Sequence, residues 1–167
     1  TERVTRRFVQ GEAIIFMMKA DIRIFELEKA EVSYVDEINR LLLQLSSSPV
    51  EFGISELEAI VASPSTHLFI LECEGSVSGM LTLGEYLAPT GRKMWIEDVV
   101  VDNAMRGRSL GRALVEHAIE YAGRLGCGTL MLTSRPSRIA ANALYRSCGF
   151  ASKETNVYRM PVLPENL

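Results

Sequence analysis

Apolar residues recur along this chain with two periods, and the switch between them marks its elements. Ile22 to Leu27 alternates, with Ile22 and Ile24 set against Arg23 and Phe25, and reads as a strand. Val32 to Leu45 carries Val35, Ile38, Leu41, Leu42 and Leu45 at helical spacing. A Ser-Ser-Ser-Pro break follows. Ser55 then fits an N-cap, with Glu58 completing a capping box, for a second helix that stops before Ser63-Pro64. Strands are predicted at Thr66–Cys73 and Ser76–Leu83 around a Glu74-Gly75 turn. A third follows an Ala-Pro-Thr-Gly loop, at Lys93–Val101. Leu110 to Leu125 sets Leu110, Leu114, Ala118, Ala122 and Leu125 along one stripe, with Gly126 as C-cap. Thr129–Thr133 reads as a strand and Ser137–Ser147 as a helix behind Pro136, ended by Gly149. Phe150–Lys153 and Val157–Met160 read as a closing pair of strands. The predicted order is β-αα-βββ-α-β-α-ββ, a mixed α/β domain without internal repeats.

Composition narrows the class. The chain has 167 residues, 47% hydrophobic and 23% charged, which suits one globular domain and excludes a disordered or fibrous chain. Residues 1–20 read as an N-terminal appendage and residues 21–167 as the domain. No uncharged apolar run approaches the ~20 residues of a membrane span, so no membrane association is expected. A net charge of −3 argues against a nucleic-acid partner. Three cysteines without a CxxC, and two histidines, suggest neither a disulfide framework nor a metal site. The expected location is cytoplasmic. The charge is nonetheless segregated: Asp21–Thr90 holds twelve acids against three bases, and Ala104–Arg146 seven arginines against two glutamates. A basic stretch in an acidic protein suggests a polyanionic ligand on one side.

That stretch contains the candidate chemistry. After the Trp95–Val101 strand comes a turn, Arg106-Gly107-Arg108-Ser109-Leu110-Gly111, which enters a helix beginning with Arg112 in its first turn. Amides at a helix N-terminus bind anions, and glycines let the backbone approach phosphates. The turn is neither GxGxxG nor GxxxxGK[ST]. Taken alone, it is either a diphosphate cradle or a plain glycine-containing turn. On the later helix Arg138, Asn142 and Tyr145 sit at i, i+4 and i+7, forming either a solvated face or a ligand wall. Glu97 and Asp98 are adjacent carboxylates in an apolar strand, where at most one faces a bound substrate.

These motifs together resemble the GNAT superfamily of acyl-CoA N-acyltransferases. Arg106, Gly107 and Gly111 fit the family's Gln/Arg-x-x-Gly-x-Gly/Ala phosphate signature, with Ser109 where the central glycine usually stands. Ala141, Tyr145, Gly149 and Phe150 fit its second signature, an A-x-x-x-Tyr helix before a GF turn; Arg138 occupies a place where Asn is frequent, and Asn142 is the nearby alternative. The resemblance implies a central mixed, mostly antiparallel sheet splayed between the fourth and fifth strands, with helices on both faces. It implies acetyl-CoA as co-substrate, no metal, and a small-molecule amine as acceptor. It places pantetheine along the free backbone of Val99, Val100 and Val101 beside a bulge, and the diphosphate on Arg106, Gly107, Arg108, Ser109, Leu110, Gly111 and Arg112. Tyr145 matches the acid that protonates the departing thiolate, and Glu97, ahead of Asp98, is the preferred base for the amine. Arg138 and Asn142 complete the expected cofactor wall. The leading expectation is direct acetyl transfer to a small amine in a ternary complex. Its rivals are a glucosamine-6-phosphate N-acetyltransferase, a protein N-acetyltransferase, and a non-catalytic acyl-CoA-binding module. A homodimer is also expected, through the free edge of the C-terminal strand pair.

Overall fold

The computed structural model describes residues 22–45 and 51–162. The expected appendage at 1–20 lies outside the described residues, as do residues 46–50, which include the Ser-Ser-Ser-Pro break.

Alternation sends each strand's residues to two different helix layers. Five strands form one sheet in sequential order: β1 (Ile22–Glu26), β2 (Thr66–Cys73), β3 (Ser76–Ala88), β4 (Gly91–Val101) and β5 (Thr129–Leu132). The first three pairings are antiparallel and β4–β5 is parallel. On β2, Leu68 and Ile70 pack with α1 (Val32–Leu45) and α2 (Ile54–Ala62), around Leu41 and Leu57. Phe69, Leu71 and Cys73 pack on the other face with α3 (Leu110–Arg124), around Leu114 and Val115. Leu144 and Tyr145 of α4 (Ile139–Ser147) join that second layer. The mixed, mostly antiparallel sheet with helices on both faces is as the resemblance implied.

Two features of β4 shape the cleft. Its parallel partner β5 is four residues long and pairs only Lys93–Ile96 with Thr129–Leu132. Beyond Ile96, β4 continues alone on that side to Val101, so the sheet splays open there. On its other side the ladder with β3 slips. Thr82 pairs with Glu97 and Met80 with Val100, so Leu81 alone opposes both Asp98 and Val99. This is a β-bulge, with Asp98 in the left-handed region at φ 50°.

Several predicted boundaries move. Helix α2 starts at Ile54, not after Ser55, because Gly53 is its N-cap: the Glu56 side chain accepts the Gly53 N–H at 2.9 Å, the task expected of Glu58. The β3–β4 hairpin is longer than predicted. β3 runs on to Ala88 and β4 starts at Gly91, so most of the stretch between the predicted strands Ser76–Leu83 and Lys93–Val101 is paired strand around a tight turn, with Gly91 at φ 110°. The Glu85–Arg92 ion pair across that hairpin supports the extension. The closing strands at Phe150–Lys153 and Val157–Met160 do not form; residues 150–162 have no regular structure. Val157, Tyr158 and Met160 are 74%, 88% and 85% exposed, with no facing layer on which alternating apolar residues gain burial. The dimer expectation therefore loses the strand edge on which it rested.

Candidate active site

The splay between β4 and β5 is floored by a cleft of about 670 Å³. Ile96, Glu97, Asp98 and Val99 of β4 form one wall. Leu132, Thr133, Ser134 and Arg135 at the end of β5, with Arg138 and Tyr145 of α4, form the other, and Leu45 of α1 and Val157 close it. The bulge determines what faces where. Ile96, Val99 and Val101 pack into the α3 layer, whereas Val100 packs into the α1 layer. In a regular strand of the same residues, Ile96 and Val100, four apart, would share a face, so the bulge is what separates them.

Backbone polarity follows from the same strand. Asp102 donates its N–H to Ser78 O at 2.9 Å, on the β3 side. By strand alternation Val101 and Val99 turn their amides and carbonyls toward the open edge, where β5 has already ended. An extended ligand can take the place of the missing strand there.

Tyr145 is half-buried in the last turn of α4, and its ring meets Phe150 edge-on at 6.1 Å. Burial raises its hydroxyl pKa above the ordinary tyrosine value, and Arg138 opposes this weakly. The group thus stays protonated at neutral pH and can act as an acid. Glu97 is open to the cleft, but partial desolvation raises its carboxyl pKa above the usual range, and the neighbouring Asp98 adds to the shift. A raised carboxyl must lose its proton before it can accept one. The acid limb of kcat/KM is therefore expected above that of an ordinary carboxylate, with activity lost as pH falls through it. Glu97→Gln should lower kcat/KM about tenfold at neutral pH and abolish that limb. An unchanged pH profile would remove Glu97 from proton transfer.

The turn from β4 to α3 lies at one end of the open edge. Asp102 caps a short 3₁₀ turn at Asn103–Met105, accepting the Ala104 N–H at 2.9 Å. Gly107 (φ 80°) and Ser109 (φ 60°) then both take left-handed backbone, and α3 begins at Leu110. The first bond of α3 runs from Ala113 N to Ser109 O, so the amides of Leu110, Gly111 and Arg112 point out of the helix end. Gly111 is also a packing requirement: a Cβ there would stand 3.2 Å from the Leu144 side chain on α4. Ser109 pays a steric cost of about 1–2 kcal/mol for a conformation that suits glycine. Ser109→Gly should raise stability by about 1 kcal/mol, a gain of ~2–4 °C in Tm. A melting curve unchanged or lowered would show that the turn holds serine without strain.

The arginines and polar residues of the predicted site divide by role. Arg112 bonds the Ser147 hydroxyl at 2.7 Å and Glu116 at 3.0 Å, tying α3 to the end of α4. Arg108 pairs with Glu74 in the β2–β3 turn, and Arg106 is exposed beside Gly107. Arg138 donates to Leu45 O at 2.9 Å across the mouth of the cleft. Asn142 does not line the cleft: its amide donates to Arg135 O at 2.8 Å and Arg138 O at 3.0 Å, holding the bend before α4. Ser134, which the sequence reading did not single out, places a buried hydroxyl in the cleft wall that has no partner among the described residues. No group of three or more His, Cys, Asp or Glu suited to a metal ion occurs among the described residues. Nor does any described helix have the length and apolarity to cross a membrane.

The chain is similar to known proteins in sequence and in fold. The profile of the Acetyltransferase (GNAT) family matches residues 34–150. Glucosamine 6-phosphate N-acetyltransferase 1 of Oryza sativa subsp. japonica is 32% identical over 145 residues, covering 81% of this chain and 84% of that protein. A putative acetyltransferase from Agrobacterium tumefaciens superposes with a TM-score of 0.73 at 27% identity, covering 83% of this chain and 99% of that one. An aminoglycoside N-acetyltransferase in complex with CoA superposes with a TM-score of 0.71 at 16% identity, covering 84% and 94%.

Proposed function

The chain belongs to the acetyltransferase (GNAT) family and is an N-acetyltransferase, and from that premise we propose that it transfers an acetyl group from acetyl-CoA to the primary amine of a small molecule. One observation carries this reading. The open edge of β4 from Glu97 to Val101 faces Tyr145 across the cleft and ends at the amides of the α3 N-terminus. An extended acyl carrier with a phosphate at its far end fits that edge and that terminus together.

The residues then take the following roles. Val99 and Val101 pair with the pantetheine amides, and the turn from Gly107 to Arg112 receives the diphosphate. Glu97, directly or through water, accepts the proton of the amine, whose nitrogen bonds to the thioester carbonyl carbon. As the carbon–sulfur bond breaks, Tyr145 donates its proton to sulfur. Amide and thiol leave with charge balanced. Collapse in one ternary complex needs no protein nucleophile, and none of the three cysteines lines the cleft.

A second reading sharpens the acceptor to an amino-sugar phosphate. The rice relative favours it, and Arg135 and Arg138 on the cleft wall, beside the unpartnered Ser134 hydroxyl, suit an anionic group. Thiol release from acetyl-CoA, measured with glucosamine, glucosamine-6-phosphate, simple diamines and an alanine-terminated peptide, tests both readings. The first expects turnover with at least one small amine. The second expects glucosamine-6-phosphate to exceed glucosamine in kcat/KM by at least tenfold. CoA binding without turnover on any amine would indicate a binding module instead.

A further inference from the structure

The turn expected to cradle the diphosphate has little support of its own. Asn103, Ala104, Arg106, Gly107 and Ser109 are exposed, and two of its residues hold left-handed backbone. Besides the Asp102 N–H bond to Ser78 O and the Arg108–Glu74 pair, what fixes its start comes from α1, more than fifty residues earlier in the chain. The Arg40 guanidinium bonds the Asp102 carboxylate and, at 2.7 Å, Val77 O, and Glu37 on the same helix orients it. One turn on, Gln44 Oε1 accepts the Asn103 N–H at 2.7 Å. Asp102 therefore serves two elements: Oδ2 is held by α1, while Oδ1 caps the 3₁₀ turn through the Ala104 N–H. The next residue, Leu45, lines the cleft and accepts Arg138 on the opposite wall.

We propose that Arg40 and Gln44 are positioning residues for acetyl-CoA, acting through Asp102 and Asn103 to hold the β4–α3 turn in its anion-binding conformation without touching the cofactor. The inference rests on the reading of that turn as the diphosphate site. Its physical content is a population. A turn released from α1 visits conformations that cannot bind, and apparent affinity falls by the fraction that remains competent. Because the contacts precede binding, the loss belongs in the binding of CoA rather than in the chemical step.

Calorimetry of CoA on the full chain, with steady-state kinetics, tests this using Arg40→Gln and Gln44→Ala. Alanine is the strongest helix former, so Gln44→Ala should keep α1 intact and decides the matter alone if Arg40→Gln fails to fold. The expected result is a three- to tenfold weaker CoA Kd in each variant, with a matching rise in KM for acetyl-CoA. The kcat at saturating acetyl-CoA should change less than twofold, and amide exchange across 102–109 should be faster in the free protein. Wild-type affinity in folded Gln44→Ala would overturn the proposal. If the wild-type protein itself bound no CoA, the reading of the turn would fail instead. A lower melting temperature with unchanged affinity would assign these contacts to stability alone and likewise overturn it.

Discussion

Ser109→Asp is expected to weaken CoA binding by about 10²-fold while leaving the protein folded and at least as stable as wild type. The substitution separates charge from geometry. Asp tolerates left-handed backbone better than most residues, and it is a preferred N-cap, so the turn and the start of α3 should persist. Its carboxylate, however, occupies the helix end where three amides point outward and a diphosphate would sit. A charged hydrogen bond is worth roughly 1.5–3 kcal/mol, and every 1.4 kcal/mol is tenfold in affinity. Losing one or two such bonds, with like-charge repulsion added, gives the stated loss. Ser109→Gly is the control, since it changes the same residue without adding charge and should bind CoA as wild type does. Gly111→Asp is a poorer probe, because a Cβ there presses on the Leu144 side chain at 3.2 Å and mixes a packing change with the charge. If Ser109→Asp binds CoA normally by calorimetry, the diphosphate is elsewhere.

Tyr145→Phe should lower kcat by nearly 10²-fold, the low end for general acid catalysis, because a CoA thiol departs partly unaided. The KM for acetyl-CoA should hardly move. Phenylalanine keeps the ring that meets Phe150 edge-on, so the junction between α4 and the Gly149-Phe150 turn survives. The pH dependence supplies a second signature. The buried hydroxyl titrates above the ordinary tyrosine value, and the acid form is the active one. The wild-type rate should therefore hold through neutral pH and fall only at strongly alkaline pH, and the variant should lack that fall. Wild-type kcat at every pH, under conditions where chemistry limits the rate, would remove Tyr145 from the mechanism. A variant that unfolds would mark it as a packing residue.

How much of this was legible in the sequence depended on where each residue's partner lies. Val32–Leu45 was readable to both ends because its burial stripe is local and periodic. The α2 cap was displaced because Gly53 offers no side chain to recognise and its partner, Glu56, resembles any surface glutamate. The extension of β3 past Gly84 carries a Glu85–Arg92 pair across the hairpin, and no local pattern announces a cross-strand ion pair. The tail misled for the opposite reason. Val157, Tyr158 and Met160 have strand propensity, but propensity needs a surface to pack on, and here they are exposed. At the site, the Arg106–Gly111 turn and Tyr145 are sequence motifs, whereas Arg40, Gln44 and Ser134 have no motif. Their positions become meaningful only when folding brings α1 against the end of β4, or β5 against the cleft.

The bulge at Asp98 has a consequence for how this site tolerates insertion and deletion. Side chains on a strand obey a parity rule, and one additional residue reverses the parity of everything after it. In β4 the reversal falls between Ile96 and Val99, so the segment that meets β5 and the segment with the open edge are out of phase by one. Removing Asp98 would leave a ladder that pairs without interruption and a strand of ordinary appearance. Val99, Val100 and Val101 would then keep their partners and faces. A strand that kept Asp98 but lost the bulge would instead exchange those faces, pushing Val100 out of the layer it fills with Leu41 and Met80, and swap inward for outward every backbone group on which a ligand could pair. The reading frame of the strand is thus as much a part of the site as any side chain in it.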